Sequence, residues 1–281
     1  MDIDPRHGKI SEGFFLGEGG TRLFYRYFDP GAARHTLIIL HGHGEHCGRY
    51  QKFFSQLRGL DLSVALFDFR GHGRSEGAEV SVHCYDQYLH DVSNFVEFLK
   101  ERFGIPSPVY LLGHSAGGLM AILWALRNPE SVRKLILSAP LLGIRAPRLM
   151  FALNNCLDRV FPHFVYQNPI YPPHLTHDRS EILQYRKDPF IKRKISVRLV
   201  SEMLSYTAQL EKTERFEVPF PVCGFLAGEE RIVDNRKTKL FFGKLKAPEL
   251  RIETFAGFYH EIFNEVGQNE VFRMLREVLS S

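Results

Sequence analysis

The run Val109-Tyr110-Leu111-Leu112, followed at once by Gly113-His114-Ser115-Ala116-Gly117, constrains this chain more than any other stretch. Four apolar residues read as a buried strand. Leu119 to Leu126 is apolar on all sides and reads as a helix packed in a core. Strand and helix are joined by a G-x-S-x-G turn. Such a turn forces its serine into a strained backbone conformation with the hydroxyl exposed. Its neighbours must be small, because a helix and a strand pass close by. Gly113, Gly117 and Gly118 meet that demand. The start of the helix aims backbone N–H groups and a positive dipole end at the same point.

A serine hydroxyl is a weak nucleophile at neutral pH. It needs a base, and the base needs a carboxylate to fix its tautomer. In a strand–elbow–helix framework these partners follow in the order serine, acid, histidine. Pro221 to Gly228 reads as a buried strand, with Glu229-Glu230-Arg231-Ile232-Val233-Asp234 in the loop beyond it. Glu249 to Phe255 reads as the next strand, and the loop after it carries His260. Of 13 histidines, His260 alone occupies the last strand-to-helix loop, where the base is required. An earlier strand, Leu37 to Leu40, runs into His41-Gly42-His43-Gly44-Glu45-His46. An H-G-x-G turn there supplies one oxyanion-hole N–H. The expected donors are the backbone amides of His43 and of Ala116, the residue after the nucleophile.

At these residues the chain resembles the monoacylglycerol lipase and lysophospholipase family of α/β-hydrolases. His41 to Tyr50 is similar to its HGxGEHxxRY signature, Asp68 to Ser75 to its DxRGHGxS turn, and Gly113 to Gly118 to its GHSxGG elbow. Phe255 to Glu265 resembles the block around its catalytic histidine. Leu175-Thr176-His177-Asp178 and Tyr185 to Pro189 resemble short motifs of its cap. The resemblance spans nearly the whole chain. It implies an α/β-hydrolase fold and ester hydrolysis on single-chain lipids, with no metal or organic cofactor.

One position departs from the family pattern, in which the acid loop reads like G-x-D-R-I-V-D. Here Glu230 stands at the aspartate, in Gly228-Glu229-Glu230-Arg231-Ile232-Val233-Asp234. Glutamate serves in some enzymes of this fold, but its extra methylene demands a different loop geometry. Asp234 is the rival acid, and its structural alternative is the N-cap of a helix starting near Asn235. Glu229 should point elsewhere.

Composition agrees with one enzyme domain carrying an insertion. The 281 residues include 44% hydrophobic and 24% charged residues, with a formal net charge of +4. That charge is too mild to argue for a nucleic-acid partner, and no basic run is interleaved with aromatics. Cys47, Cys84, Cys156 and Cys223 lack paired spacing and read as reduced thiols of a cytoplasmic protein, at most peripheral to a membrane. Met1 to His7 lacks the basic and apolar regions of a signal peptide. Oligomeric state is not legible.

Strands and helices alternate, which argues for a mostly parallel sheet flanked by helices. Gly13 to Gly17 and Thr21 to Phe28 read as an antiparallel hairpin. Further strands are expected at Thr36 to Leu40, Leu62 to Phe67, Val109 to Leu112, Val132 to Ser138, Val222 to Leu226 and Leu250 to Phe255. Tyr88, Val92, Phe95, Val96 and Leu99 mark one face of a helix between Tyr85 and Phe103. Val271, Met274, Leu275, Val278 and Leu279 mark another that closes the chain.

The alternation stops between Leu142 and Arg215, a stretch with prolines and helical patches but no expected strand. The domain reading is therefore a core over 1–141 and 216–281, with a helical cap over 142–215. Within it Leu149, Met150, Leu153, Leu157, Val160 and Phe161 form an apolar stripe. Packing on the main domain is the favoured reading. The other is a lid face, with Leu153 and Leu157 lining an acyl pocket or making transient contact with a membrane surface.

Two further readings compete. His41-x-His43-x-Glu45-His46 superficially resembles a zinc motif, although zinc would leave the elbow and His260 without a role. A non-catalytic ligand-binding protein of the same fold is the other.

Overall fold

The computed structural model describes residues 8–31, 33–145 and 148–281. Met1 to His7, with the reading of a missing leader, lie outside the described residues. Its strands and helices, in chain order, are β1 (Lys9–Leu16), β2 (Arg22–Asp29), β3 (His35–Leu40), α1 (Gln51–Gln56), β4 (Leu62–Phe67), α2 (Asp86–Phe103), β5 (Val109–His114), α3 (Ala116–Arg127) and β6 (Val132–Ser138). Then come α4 (Arg148–Asp158), β7 (Val165–Gln167), α5 (Arg179–Lys187), β8 (Lys194–Ser196), α6 (Val197–Lys212), β9 (Phe216–Glu217) and β10 (Val222–Ala227). The chain closes with α7 (Asn235–Lys244), β11 (Leu245–Lys246), β12 (Leu250–Phe255) and α8 (Gln268–Ser280).

Eight strands form one sheet in the order β1-β2-β4-β3-β5-β6-β10-β12. The β1–β2 and β2–β4 pairs are antiparallel, and every pair beyond them is parallel. The expected α/β-hydrolase fold is therefore present. Its central strands carry continuous apolar runs, such as Leu37 to Leu40, Val64 to Phe67 and Val109 to Leu112, because both faces are covered. Along β3, Ile38 and Leu40 face the layer holding α2 and α3, while Leu37 and Ile39 face the layer holding α1 and α8. Each such fully buried side chain contributes about 1.5–3 kcal/mol through removal from water.

The turn at Asp68 to Ser75 serves as a brace. Asp68 accepts hydrogen bonds from the amides of Cys47, at 2.7 Å, and Arg74, at 2.8 Å. Arg70 grips the fully buried carboxylate of Asp91 on α2 through two hydrogen bonds of 2.6 and 2.7 Å. That carboxylate also accepts from the Glu18 amide in the β1–β2 turn. One buried ion pair thus ties three separate segments together.

Residues 142–215 differ from the sequence reading in two ways. They contain a short antiparallel pair, β7 with β8, where no strand was expected. Three-residue strands are too short to show a period-2 pattern. Most of the apolar stripe is also exposed instead of packed on the main domain, with Leu157 half-buried. Leu149, Leu153, Val160 and Phe161 are 60–69% exposed and Met150 is 48% exposed. Spacing placed these residues on one face, but polar anchoring decided which face turned inward. Asn154, on the buried side of α4, donates to the Val197 carbonyl at 3.1 Å and the Ser201 hydroxyl at 2.8 Å on α6. In turn α6 sinks Leu199, Val200, Met203 and Leu210 into the main core.

Candidate active site

Ser115 sits between β5 and α3 with φ 52° and ψ −117°, a left-handed conformation that side-chain-bearing residues rarely adopt. The strain is held by the sheet. The Ser115 amide donates to the Ser138 carbonyl at 3.0 Å, and the Ser115 carbonyl accepts from Leu141 at 2.9 Å. A β-carbon on Gly117 would collide with the carbonyls of Leu40 and His41, and one on Gly113 with the backbone of Gly117. The small residues of the elbow are thus required by the close approach of β3 and α3.

Glu230 and His260 lie beyond the ends of β10 and β12, which are parallel neighbours. His260 Nδ1 is 2.9 Å from Glu230 Oε2, and both side chains are buried. Glu230 Oε1 accepts from the amides of Ile232, at 2.7 Å, and Val233, at 3.2 Å. Burial by itself would raise the Glu230 pKa. The facing imidazole and these hydrogen bonds outweigh it and hold the carboxyl below its ordinary value. His260 is the mirror case: burial pushes its pKa down, but the Glu230 carboxylate wins and raises it. Asp234 does not reach His260. Its Oδ1 accepts the Arg236 amide at 3.0 Å and caps α7, and both oxygens meet the Arg236 guanidinium. Glu229 is exposed beside Arg231.

No hydrogen bond joins the Ser115 hydroxyl to His260 among the described residues. Nucleophile and base often stand further apart before substrate arrives. Ser115 and His260 share one neighbourhood through His114, whose ring centre lies 4.9 Å from that of His260. The backbone amides of His43 and Ala116 find no acceptor among the described residues, as donors reserved for a ligand oxygen would. The turn carrying His43 is shaped by Glu45, whose Oε2 accepts from the Gly42 amide and the Tyr50 hydroxyl, both at 2.8 Å. Residues 192–194 also clamp this turn. The Lys192 amide donates to the Gly44 carbonyl at 2.8 Å, and His43 Nε2 lies 2.9 Å from the Lys194 carbonyl.

The histidines of the rival zinc reading are otherwise engaged. His41 spends Nδ1 on the Gly42 carbonyl and Nε2 on the Phe69 amide. Burial lowers its pKa to about 3. His46 pairs with Asp188 at 2.8 Å. Among the described residues no group of His, Cys, Asp and Glu side chains is arranged to hold a metal.

A cavity of about 360 Å³ opens on Ser115, His43 and Ala116. Its apolar wall includes Leu141, Ile144, Phe151, Ile195, Val200 and Met203. Leu153 and Leu157 are not among the lining residues; α4 presents Met150, Phe151 and Asn154 instead. Leu153 belongs to the part of the apolar stripe that faces outward, whereas Met150 of the same stripe reaches the cavity. Sequence reasoning also missed Arg49. Its guanidinium joins Glu45, in the His43 turn, to Glu261, next to His260, and lies 5.0 Å from the centre of the Tyr185 ring of α5. The i,i+4 spacing of Glu45 and Arg49 was a visible signal for half of this network.

Comparison with known proteins places this geometry in context. The family model described as serine aminopeptidase, S33 matches residues 31–267. The human monoglyceride lipase is 30% identical over 90% of this chain and 85% of its own length. A phospholipase of Bacillus subtilis is 29% identical over 86% of this chain and 93% of its own. Among solved structures, the monoacylglycerol lipase of Paleococcus ferrophilus superposes with a TM-score of 0.79 at 26% identity, covering 96% of this chain and 98% of its own.

Proposed function

This chain belongs to the serine aminopeptidase S33 family and, with the monoglyceride lipases among its relatives, is a carboxylic ester hydrolase; from that premise we propose that it cleaves single-chain lipid esters through Ser115, His260 and Glu230. The observation that carries the reading is the buried Glu230–His260 pair behind an elbow serine that opens onto an apolar cavity. An alkyl chain fits such a wall, and each buried methylene contributes about 0.8 kcal/mol.

In this reading His260 takes the proton of Ser115 as the hydroxyl attacks the ester carbonyl. The imidazolium so formed is stabilised by Glu230, which also holds Nδ1 as the proton-bearing nitrogen. The amides of His43 and Ala116 receive the oxyanion, each worth about 3–4 kcal/mol in the transition state. His260 then protonates the departing alkoxide, and the acyl group remains on Ser115. Water, deprotonated by the same imidazole, releases the fatty acid.

Getting a lipid out of an aggregate requires a surface that tolerates one. Leu149, Leu153, Val160, Phe161 and Phe164 are exposed along residues 149–164 and support transient contact of this segment with a lipid surface. No helix among the described residues is long and apolar enough to cross a membrane. Four unpaired cysteines support a reducing compartment.

The test is hydrolysis of monoacylglycerols, lysophospholipids and short p-nitrophenyl esters by wild type and Ser115→Ala, with fluorophosphonate labelling alongside. Turnover and labelling should vanish together in the variant while its circular dichroism is unchanged. A variant that still labels and turns over would remove Ser115 from the mechanism.

A further inference from the structure

Two cationic side chains, Arg145 and Arg231, lie in the wall of the candidate acyl cavity, and among the described residues no aspartate or glutamate does. Neither guanidinium is well neutralised. Arg145 has no carboxylate within 4 Å among the described residues; its Nη1 donates to the Glu230 carbonyl at 2.8 Å. Arg231 has one, the exposed Glu229, at 3.8 Å. The nearby Asp234 carboxylate is occupied by Arg236.

Both arginines are nevertheless held in place. Arg231 stacks 4.0 Å above the centre of the Tyr259 ring. Arg145 is pinned by the Glu230 carbonyl and, through its amide, by Ile232. A guanidinium fixed along one edge keeps its remaining N–H groups free in a known direction, which suits a tetrahedral oxyanion. A third donor lines the same cavity. Asn168 Oδ1 accepts the Ile170 amide, so its Nδ2 is the free end, buried and without a partner. His43 Nδ1, buried and without a partner among the described residues, belongs to a ring whose pKa burial lowers to about 4.

Resting on the ester-hydrolase reading above, we propose that the substrates this site selects are single-chain lipid esters whose glycerol carries a phosphate, with Arg145 and Arg231 receiving the phosphate oxygens. The acyl chain lies along Ile144, Phe151, Val200 and Met203. The phosphate sits at the cationic side of the same cavity, next to the loop that carries Glu230. A neutral glycerol head offers only hydroxyls to two guanidinium groups that no carboxylate in the wall compensates.

The experiment compares kcat/KM for 1-oleoyl lysophosphatidate and 1-monooleoylglycerol in neutral detergent micelles. Enzymes are wild type, Arg145→Gln, Arg231→Gln, the double Gln variant and the double Lys variant. The readout is the ratio of the two substrates, so a general loss through a disturbed Glu230 loop cancels. In wild type the ratio should exceed one and fall with added salt. The double Gln variant should lose about tenfold or more of that ratio, and the double Lys variant, which keeps the charge, should retain most of it. A double Gln variant with an unchanged ratio would overturn the head-group proposal while leaving ester hydrolysis standing. Absence of turnover on both lipids by wild type would instead bring down the reading on which it rests.

Discussion

Arg49 and Glu261 meet through two hydrogen bonds, at 2.7 and 2.8 Å, across 212 positions of chain. The same guanidinium also pairs with Glu45. One arginine therefore links the turn that presents the His43 amide to the loop that presents His260. Burial alone would raise the Glu45 carboxyl, but Arg49 and the hydrogen bonds around it bring its pKa down to about 2. The Glu45 carboxylate thus stays charged in the interior. Arg49→Met should leave the buried carboxyl groups of Glu45 and Glu261 without the guanidinium that pairs with both, and cost about 3–5 kcal/mol. Urea unfolding measures this directly. A cost of about 1 kcal/mol or less, the scale of a surface ion pair, would show that the network is not a structural tie.

The identity of the acid can be separated by paired variants. Glu230→Gln should lower kcat by several orders of magnitude, since the amide neither stabilises the imidazolium nor fixes its tautomer; the serine-protease precedent is about 10⁴-fold. Asp234→Asn should cost only part of an N-cap, about 1 kcal/mol or below, seen in the melting temperature and not in kcat. The reverse pattern would make Asp234 the acid. Glu230→Asp is the sharper probe of loop geometry. Its carboxylate would fall short of His260 by one C–C bond, and a displacement of about 1 Å can cost about 10²-fold.

The pH profile follows from the balance at His260. Burial lowers its pKa, but the Glu230 carboxylate, with its hydrogen bond, outweighs burial and raises it above 6.5. The base works only when neutral. Activity should therefore be present above this raised value and fall with a one-proton slope as pH drops through it. Glu230→Gln removes the raising charge and leaves burial, so its residual activity should show the limb at lower pH. His41 and His43, at about 3 and about 4, titrate too low to produce this limb. Observing the same limb in both proteins would mean that another group controls the rate.

Lipid contact and acyl binding should separate along residues 149–161. Leu153 and Phe161 are each 60% exposed, whereas Phe151 lines the cavity. Replacing Leu153 and Phe161 by Ser should reduce turnover of micellar or vesicular lipid and spare a short soluble ester, because little folded packing is lost. Phe151→Ala should lower kcat/KM for long-chain esters whether monomeric or aggregated, by about 10–200-fold if it contacts one or two methylenes. Equal loss on soluble and aggregated substrates in the Leu153 and Phe161 variant would return that stripe to a packing role.

Much of the architecture was legible in one dimension. Strands buried on both faces, such as Leu37 to Leu40 and Val109 to Leu112, announce themselves as apolar runs, and their alternation with helices implies a parallel sheet. The glycines around Ser115 mark a tight turn in the sequence, but only Gly113 is explained by the turn itself; the carbonyls of Leu40 and His41 that exclude a side chain at Gly117 come from a strand distant in sequence. The order of Ser115, Glu230 and His260 likewise follows from strand order. What sequence could not decide was anything that depends on which distant groups arrive together. Glu230 and Asp234 share one loop, and only the tertiary structure turned one toward His260 and the other onto Arg236. Arg49 gave no sign of its partner 212 residues away. The stripe of α4 was correctly periodic, yet periodicity names a face and not its direction. That direction was chosen by Asn154 and its partners on α6, because a buried polar group must find a hydrogen bond and an exposed leucine need not.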